Sequence, residues 1–368
     1  MTKLSSRLSA YADVASSIGV DAVALVPGPN FTRAIGHSFM SHERPFLVVI
    51  PASGPAAALV PNLELGSWSE VGFEGQTFDW RDQTGYDDAF AALMAHLDIR
   101  SLAVEGQVMR VFVHHALKRA RPELEIVDAE TEISALRMVK TESDIAALRK
   151  AIDISERALE ATLQTIRPGQ TEKQIEQQLI AQLFAHGADD LSFAPIVAAA
   201  DNSAKPHAHA RDDYKVQDGD AILFDWGARK DGFCADITRT VFLGHATDEA
   251  RAVYDTVLKA NLAALAITRA GVTAHDIDDA ATGVLEASPF ADRIRTKTGH
   301  GLGREVHEAP YIVRGNDMSL PAGTVYTNEP GLYGPGLFGV RIEDDVLVTE
   351  TGYETLTRFS KDLRVLPC

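Results

Sequence analysis

Residues 221–242 read AILFDWGARKDGFCADITRTVF. The first five form an apolar run ending in Asp225, the pattern of a buried strand. Asp236 lies in the second run, and Lys230-Asp231-Gly232-Phe233 between them is a hairpin signal. A two-residue type I′ turn at Asp231-Gly232 sets Asp225 opposite Thr238 and makes Asp236 a diagonal neighbour on the same face. Two carboxylates aimed at one point from half-buried strands repel each other and are costly to desolvate. They need a shared proton or a cation; the alternative is a pair of edge aspartates facing water.

Outward from this hairpin, the second half of the chain is strand-rich. Phe193–Ala198, Thr324–Asn328 and Val340–Val348 read as strands, and Glu249–Ala270 as a helix. Upstream, a long amphipathic helix starts at Thr141, a plausible N-cap with Asp144 three residues on, and stops before Pro168-Gly169. A further helix follows from about Glu172 to Gly187. Helices and an antiparallel sheet kept in separate runs predict an α+β domain.

The first third alternates instead. An opening helix carries Leu8, Tyr11, Ala12 and Ala15. Strands are expected at Ala22–Val26, Pro45–Ile50, Leu102–Glu105 and Leu124–Val127, with helices at Tyr86–Leu97 and Val111–Arg119. That is an α/β domain with a helix-covered sheet. The pattern changes near residue 132, which divides the chain into domains 1–131 and 132–368.

Composition narrows the function. The chain has 368 residues, 35 Lys+Arg against 52 Asp+Glu, and a formal charge of −17. Such an acidic chain repels phosphate backbones, which argues against nucleic-acid binding. No apolar run approaches the ~18 residues of a membrane span, and the N-terminus lacks the apolar core of a signal peptide. Two cysteines, Cys234 and Cys368, cannot form a disulfide framework, so a cytoplasmic location is expected.

Three later stretches add to Asp225 and Asp236. Thr298-Gly299-His300-Gly301-Leu302-Gly303 flanks one histidine with glycines, which lets backbone come close to whatever the imidazole binds. Glu329 lies in TNEPG. Glu343 lies in GVRIEDDVLV, where Arg341, Glu343 and Asp345 share one face of an expected strand and Val340, Ile342, Val346 and Val348 the other. Asp344 interrupts the apolar face. Four carboxylates and one imidazole form a hard, oxygen-rich set suited to two divalent ions of the manganese, cobalt, iron or zinc type.

These motifs, ILFDWGA…DGFCADITRT, TGHGLGREVHEAP, TNEPGLY and GVRIEDD in that order, with FAPIVAAADNSAKPH upstream, resemble the pita-bread metallopeptidases. That group includes methionine aminopeptidase, Xaa-Pro aminopeptidase, Xaa-Pro dipeptidase (prolidase) and creatinase. The resemblance covers residue 132 to the end at motif level, and the first domain as a creatinase-type layout. It implies two divalent metal ions, manganese first, with cobalt, zinc or iron as alternatives. Asp225 would hold one, His300 and Glu329 the other, and Asp236 and Glu343 would bridge them. A bridging hydroxide would then attack the peptide bond preceding proline in dipeptides or short peptides.

Glu329 would also carry the proton to the leaving nitrogen. His207, which has His209 as a neighbour and rival, and His307 would hydrogen-bond the substrate and stabilise the tetrahedral intermediate. Arg341 orients a carboxylate or contacts substrate, and Arg314 is a candidate anchor for the substrate's C-terminal carboxylate. Arg304 stands where these peptidases often carry an apolar residue, which bears on pocket polarity. The family's two-domain members further imply a homodimer acting on a short proline-containing peptide. A non-peptidase metalloenzyme on the same fold, a C–S lyase or amidinohydrolase-like enzyme, is the alternative.

Overall fold

The computed structural model describes residues 3–368, which form two compact units, one ending at Arg137 and one beginning at Met138. The first is built on a six-stranded mixed sheet. Its strands run in the order Gln76–Trp80, Ala57–Pro61, Leu47–Pro51, Ala22–Leu25, Ser101–Val104, Glu125–Asp128. Alternation along each strand divides the side chains between two cores. Ala22, Ala24, Leu47, Val49 and Leu102 face the helices Asp87–His96 and Val111–Ala120, whose Phe90, Leu93 and Leu117 cover them. Val23, Leu25, Val48, Ile50 and Ala103 face the other way, onto Tyr11 and Ala15 of the opening helix and Phe31 of Pro29–Ile35. This is the helix-covered α/β sheet that the alternation predicts, with two strands the sequence reading did not separate, Ala57–Pro61 and Gln76–Trp80. The first is a short apolar run between Pro55 and Pro61, and the second is a largely exposed edge strand without an apolar run.

The second unit is α+β. Thr141 and Asp144 form a reciprocal capping box at the head of the helix Glu142–Leu163, and Thr171 with Gln174 caps Glu172–Ala185 in the same way. These two helices pack on a four-stranded sheet ordered Arg364–Leu366, Ile237–Leu243, Ala221–Trp226, Ile196–Ala199. A second helix pair, Asp248–Ile267 and Ala274–Glu286, covers a five-stranded sheet ordered Glu308–Ile312, Gly299–Gly301, Val325–Asn328, Asp344–Val348, Tyr353–Thr355. The helix Ala274–Glu286 was not anticipated. Its signal is Thr273, whose side chain accepts from the Asp276 amide.

The hairpin closes as the spacing requires. Asp231 and Gly232 both have positive φ, 52° and 78°. Lys230 pairs with Phe233 across the turn, and Asp225 pairs with Thr238 further along. Two expected strands are interrupted, however. The run from Cys234 breaks at Ala235-Asp236, and the run from Val340 breaks at Ile342-Glu343, where the chain passes from a two-stranded ladder into the five-stranded sheet. Both breaks fall on predicted site residues.

Candidate metal centre

Each candidate side chain is held at or beside a strand end. Asp225 is the penultimate residue of Ala221–Trp226, His300 is central in Gly299–Gly301, and Glu329 directly follows Val325–Asn328. Asp236 and Glu343 occupy the two breaks. Main-chain hydrogen bonds are taken up on either side of these positions, so the carboxylates project from otherwise regular sheets. The glycines around His300 serve the sheet itself. A Cβ on Gly299 would collide with the Thr327 carbonyl, and one on Gly301 with that of Ala309, so they permit close strand-to-strand approach rather than access for a ligand.

The five side chains converge. Ligand atoms of Asp225, Asp236 and Glu343 lie within 4.8 Å of one another, and so do those of His300, Glu329 and Glu343. Glu343 belongs to both groups. A third group joins Asp236 and His300 to His307. His300 Nε2 is 3.2 Å from Glu329 Oε1 and 3.6 Å from Asp236 Oδ2. Its Nδ1 lies 3.1 Å from the Gly301 carbonyl, which can only accept, so Nδ1 carries the proton and Nε2 turns a lone pair toward two carboxylates.

That arrangement is strained unless a cation lies between the groups. Burial, and then the charges of Glu343, Asp225 and Glu329, push the Asp236 carboxyl well above its ordinary range. Burial, then Glu329 and Asp225, do the same to Glu343. Asp225 is raised by burial against the pull of Arg341. In Glu329 burial is outweighed by the combined influence of His300, Arg341 and Lys297, which leaves its carboxyl below the usual range. Asp225 Oδ1 is buried without a hydrogen-bond partner. An orphaned carboxylate oxygen, an imidazole lone pair and four clustered acids are the donor set a pair of divalent ions requires, so the residues present fit such ions.

Neighbouring side chains fix the set. Arg341 is ion-paired to Asp225, and its Nε donates to Thr238 Oγ1 at 2.8 Å. Thr238 in turn donates to Glu343 Oε2 at 2.5 Å. Thr327 Oγ1 accepts from the His300 amide at 3.1 Å and donates to Glu329 Oε1 at 3.2 Å. Asp345 is fully buried behind Asp236, taking its amide proton at 3.3 Å. Sequence reasoning did not single out Thr238, Thr327 or Tyr333. Thr238 had a signal, since it sits opposite Asp225, and Thr327 precedes Glu329 by the two residues that put both on one face. Tyr333, whose hydroxyl accepts from Arg341 Nη1 at 2.9 Å, comes in only through the pairing of Gly331–Tyr333 with Gly339–Arg341.

The cluster lines a cavity of about 530 Å³, a size suited to a small ligand. His207, His307 and Arg341 also line it, as do Phe193, Ile196 and Val306. Partial burial and the adjacent His300, whose ring centroid is 4.0 Å away, push the His307 imidazole down to about 4, so it stays neutral at pH 7. Arg314 is placed elsewhere. It does not line the cavity, and its guanidinium is held by Asp279 at 2.9 Å and Glu286 at 2.6 Å. Those two anions already satisfy it, so the carboxylate anchor expected of it is not found there. Arg304 also turns away, stacking over Phe233 at 4.4 Å, and its charge does not enter the cavity wall.

Comparison with known proteins agrees with this geometry. Residues 146–350 match metallopeptidase family M24, and residues 7–139 match the creatinase/prolidase N-terminal domain. An uncharacterised peptidase of Staphylococcus epidermidis is 31% identical over 93% of this chain and 95% of its own. A putative dipeptidase of Bacillus subtilis is 32% identical over 91% and 89%. Among solved structures, a prolidase from Thermococcus sibiricus superposes with a TM-score of 0.93 at 31% identity over the whole of both chains. An Xaa-Pro dipeptidase from Bacillus anthracis does so with 0.91 at 29% identity, over 99% of this chain and 100% of its own.

Proposed function

Because the chain belongs to metallopeptidase family M24, we propose that it hydrolyses the peptide bond preceding proline in dipeptides or short peptides, using two divalent ions. Asp225 would hold one ion, His300 and Glu329 the other, and Asp236 and Glu343 would reach both. The observation that carries this reading is the overlap of the two ligand groups at Glu343, beside an orphaned Asp225 oxygen. When bound, the ions supply Lewis acidity and a water acidic enough to act as nucleophile at neutral pH. Manganese suits the oxygen-rich set.

The chain's own residues do the rest. Glu329, on the cavity wall with its Oε1 3.2 Å from His300 Nε2, takes the proton of the attacking water and delivers it to the leaving nitrogen. His207 and His307 reach the cavity from separate loops and donate to the carbonyl oxygen as it gains charge. Arg341 orients Asp225 and, through Thr238, Glu343. Phe193, Ile196 and Val306 give an apolar wall for the pyrrolidine ring. Proline fixes φ and removes the amide N–H, so general peptidases bind X–Pro bonds poorly, and a dedicated wall is what makes such an enzyme useful. The proline-directed relatives named above support this choice. The reading extends to a homodimer in the cytoplasm, and the two unpaired cysteines suit a reducing compartment.

The test is hydrolysis of Ala-Pro and Ala-Pro-Ala against Ala-Ala and Ala-Ala-Ala by metal-stripped protein, with and without Mn²⁺. The expected result is Mn²⁺-dependent release of alanine from the proline peptides at rates at least tenfold above the controls. No cleavage of either proline peptide by protein carrying two ions would overturn the proline specificity and favour a non-peptidase reaction.

A further inference from the structure

The cavity contains two arginines in opposite bonding states. Arg341 is ion-paired to the Asp225 carboxylate and also bonded to Thr238 Oγ1 and the Tyr333 hydroxyl. Arg229, on the same cavity wall, donates from Nη1 to the Arg304 carbonyl at 2.9 Å and has no ion-pair partner among the described residues. A guanidinium carries five N–H donors in a planar fork, so one bond to a neutral oxygen leaves most of the fork unused. A half-buried cation without a counter-anion is costly unless water or a ligand satisfies it.

Placement adds a second argument. Asp225, penultimate in Ala221–Trp226, and Arg229, central in Ala228–Lys230, are four residues apart and both line the cavity. Asp225 pairs with Thr238 and Arg229 with Cys234, next to the turn. Four residues separate their Cα atoms by no more than ~14 Å, and a dipeptide spans ~7 Å. A peptide whose scissile carbonyl lies at the acidic cluster can therefore bring a carboxylate to the guanidinium. Arg314, the arginine the sequence motif offered for that task, is occupied elsewhere.

We infer that Arg229 binds a carboxylate of the substrate, supplied either by the C-terminus of an X-Pro dipeptide or by an acidic side chain at X. This rests on the proline-peptidase reading above and adds which peptides are preferred. Two parallel charge-assisted bonds to a carboxylate are the strong geometry for arginine.

The test uses the Mn²⁺-loaded full-length enzyme with Ala-Pro, Ala-Pro-amide and Glu-Pro-amide. If the C-terminus is the source, kcat/KM for Ala-Pro exceeds that for Ala-Pro-amide by tenfold or more. If the side chain is the source, Glu-Pro-amide exceeds Ala-Pro-amide by that factor. Either preference appears mainly in KM, falls to within about threefold of unity in Arg229→Met, and is partly restored in Arg229→Lys, which keeps the charge but not the fork. Circular dichroism and a melting curve establish that both variants fold. Equal rates for all three substrates in the wild type, or a preference that survives in folded Arg229→Met, overturn the inference alone. Cleavage of none of the three overturns the proline reading and this inference together.

Discussion

Replacing Arg239 by methionine removes a buried cation that holds the main-chain carbonyls of Thr238 and Glu343. Its side chain is 2% exposed and that of its partner Asp344 is 1% exposed, with 2.8 Å between Nη2 and Oδ1. All five donors are used: Nε to the Ser360 carbonyl at 3.0 Å, Nη1 to those of Thr238 and Glu343 at 2.9 and 2.5 Å, and Nη2 to Asp344 and to the Phe359 carbonyl at 2.7 Å. Breaking one partner out of a buried pair costs about 3–5 kcal/mol, because the other charge is left uncompensated. Lys361, 2.9 Å from Asp344 Oδ2, keeps part of that compensation, which argues for the lower half of the range. For a unit of this size each kcal/mol lowers Tm by about 2–4 °C, so Arg239→Met should melt roughly 6–16 °C below the wild type. The double variant R239M/D344L should lose at least about 1 kcal/mol less than the sum of its singles, since the orphaned charge is gone. Urea unfolding with parallel thermal melts measures both. A loss below 1 kcal/mol in Arg239→Met, or strict additivity in the double variant, refutes the account of Asp344 as a buried charge held by Arg239.

Removing metal should destabilise the second unit. One divalent ion at a hundredfold excess over its Kd contributes about 2.7 kcal/mol, so chelation should lower Tm by roughly 5–10 °C per site, reversed by Mn²⁺ in a melting experiment. His307→Ala should retain its metal content by elemental analysis while kcat/KM falls about 10²–10³-fold; loss of an ion instead would make His307 a ligand. In the first unit, Asp21 accepts the amide protons of Arg100 and Ser101 at 2.6 and 3.0 Å, and these bonds hold its carboxyl below the ordinary value. A carboxyl lowered in the folded state stabilises it above the unfolded pKa, and that contribution is lost as pH falls through the folded pKa. Melts of wild type and Asp21→Asn should therefore differ most at neutral pH and converge as pH falls through the lowered carboxyl pKa.

The sequence made the hairpin legible because a two-residue turn leaves no freedom of register: once Asp231-Gly232 is the turn, Asp225 must face Thr238, and it does. Glu343 lies at a junction between two strands rather than within the one strand expected. Alternation was read through Ile342-Glu343 as one strand, whereas the chain changes sheets there. Asp344 accordingly seemed to spoil an apolar face. It lies instead in a buried network with Arg239, Lys361 and Asn261, and a long-range ion pair leaves no periodic trace. The same limit explains the arginines. Arg314 and Arg229 look alike in sequence, and only the fold shows that one is satisfied by two local acids and the other faces the cavity.

The central claim is that Asp225, Asp236, His300, Glu329 and Glu343 hold two ions between them. Chelator-stripped protein titrated with Mn²⁺, with bound metal counted by elemental analysis, tests it most directly. The account predicts two ions per chain in the wild type and fewer than two in folded Glu343→Gln, the residue common to both ligand groups. One ion or none in the folded wild type, or two retained in Glu343→Gln, would contradict it.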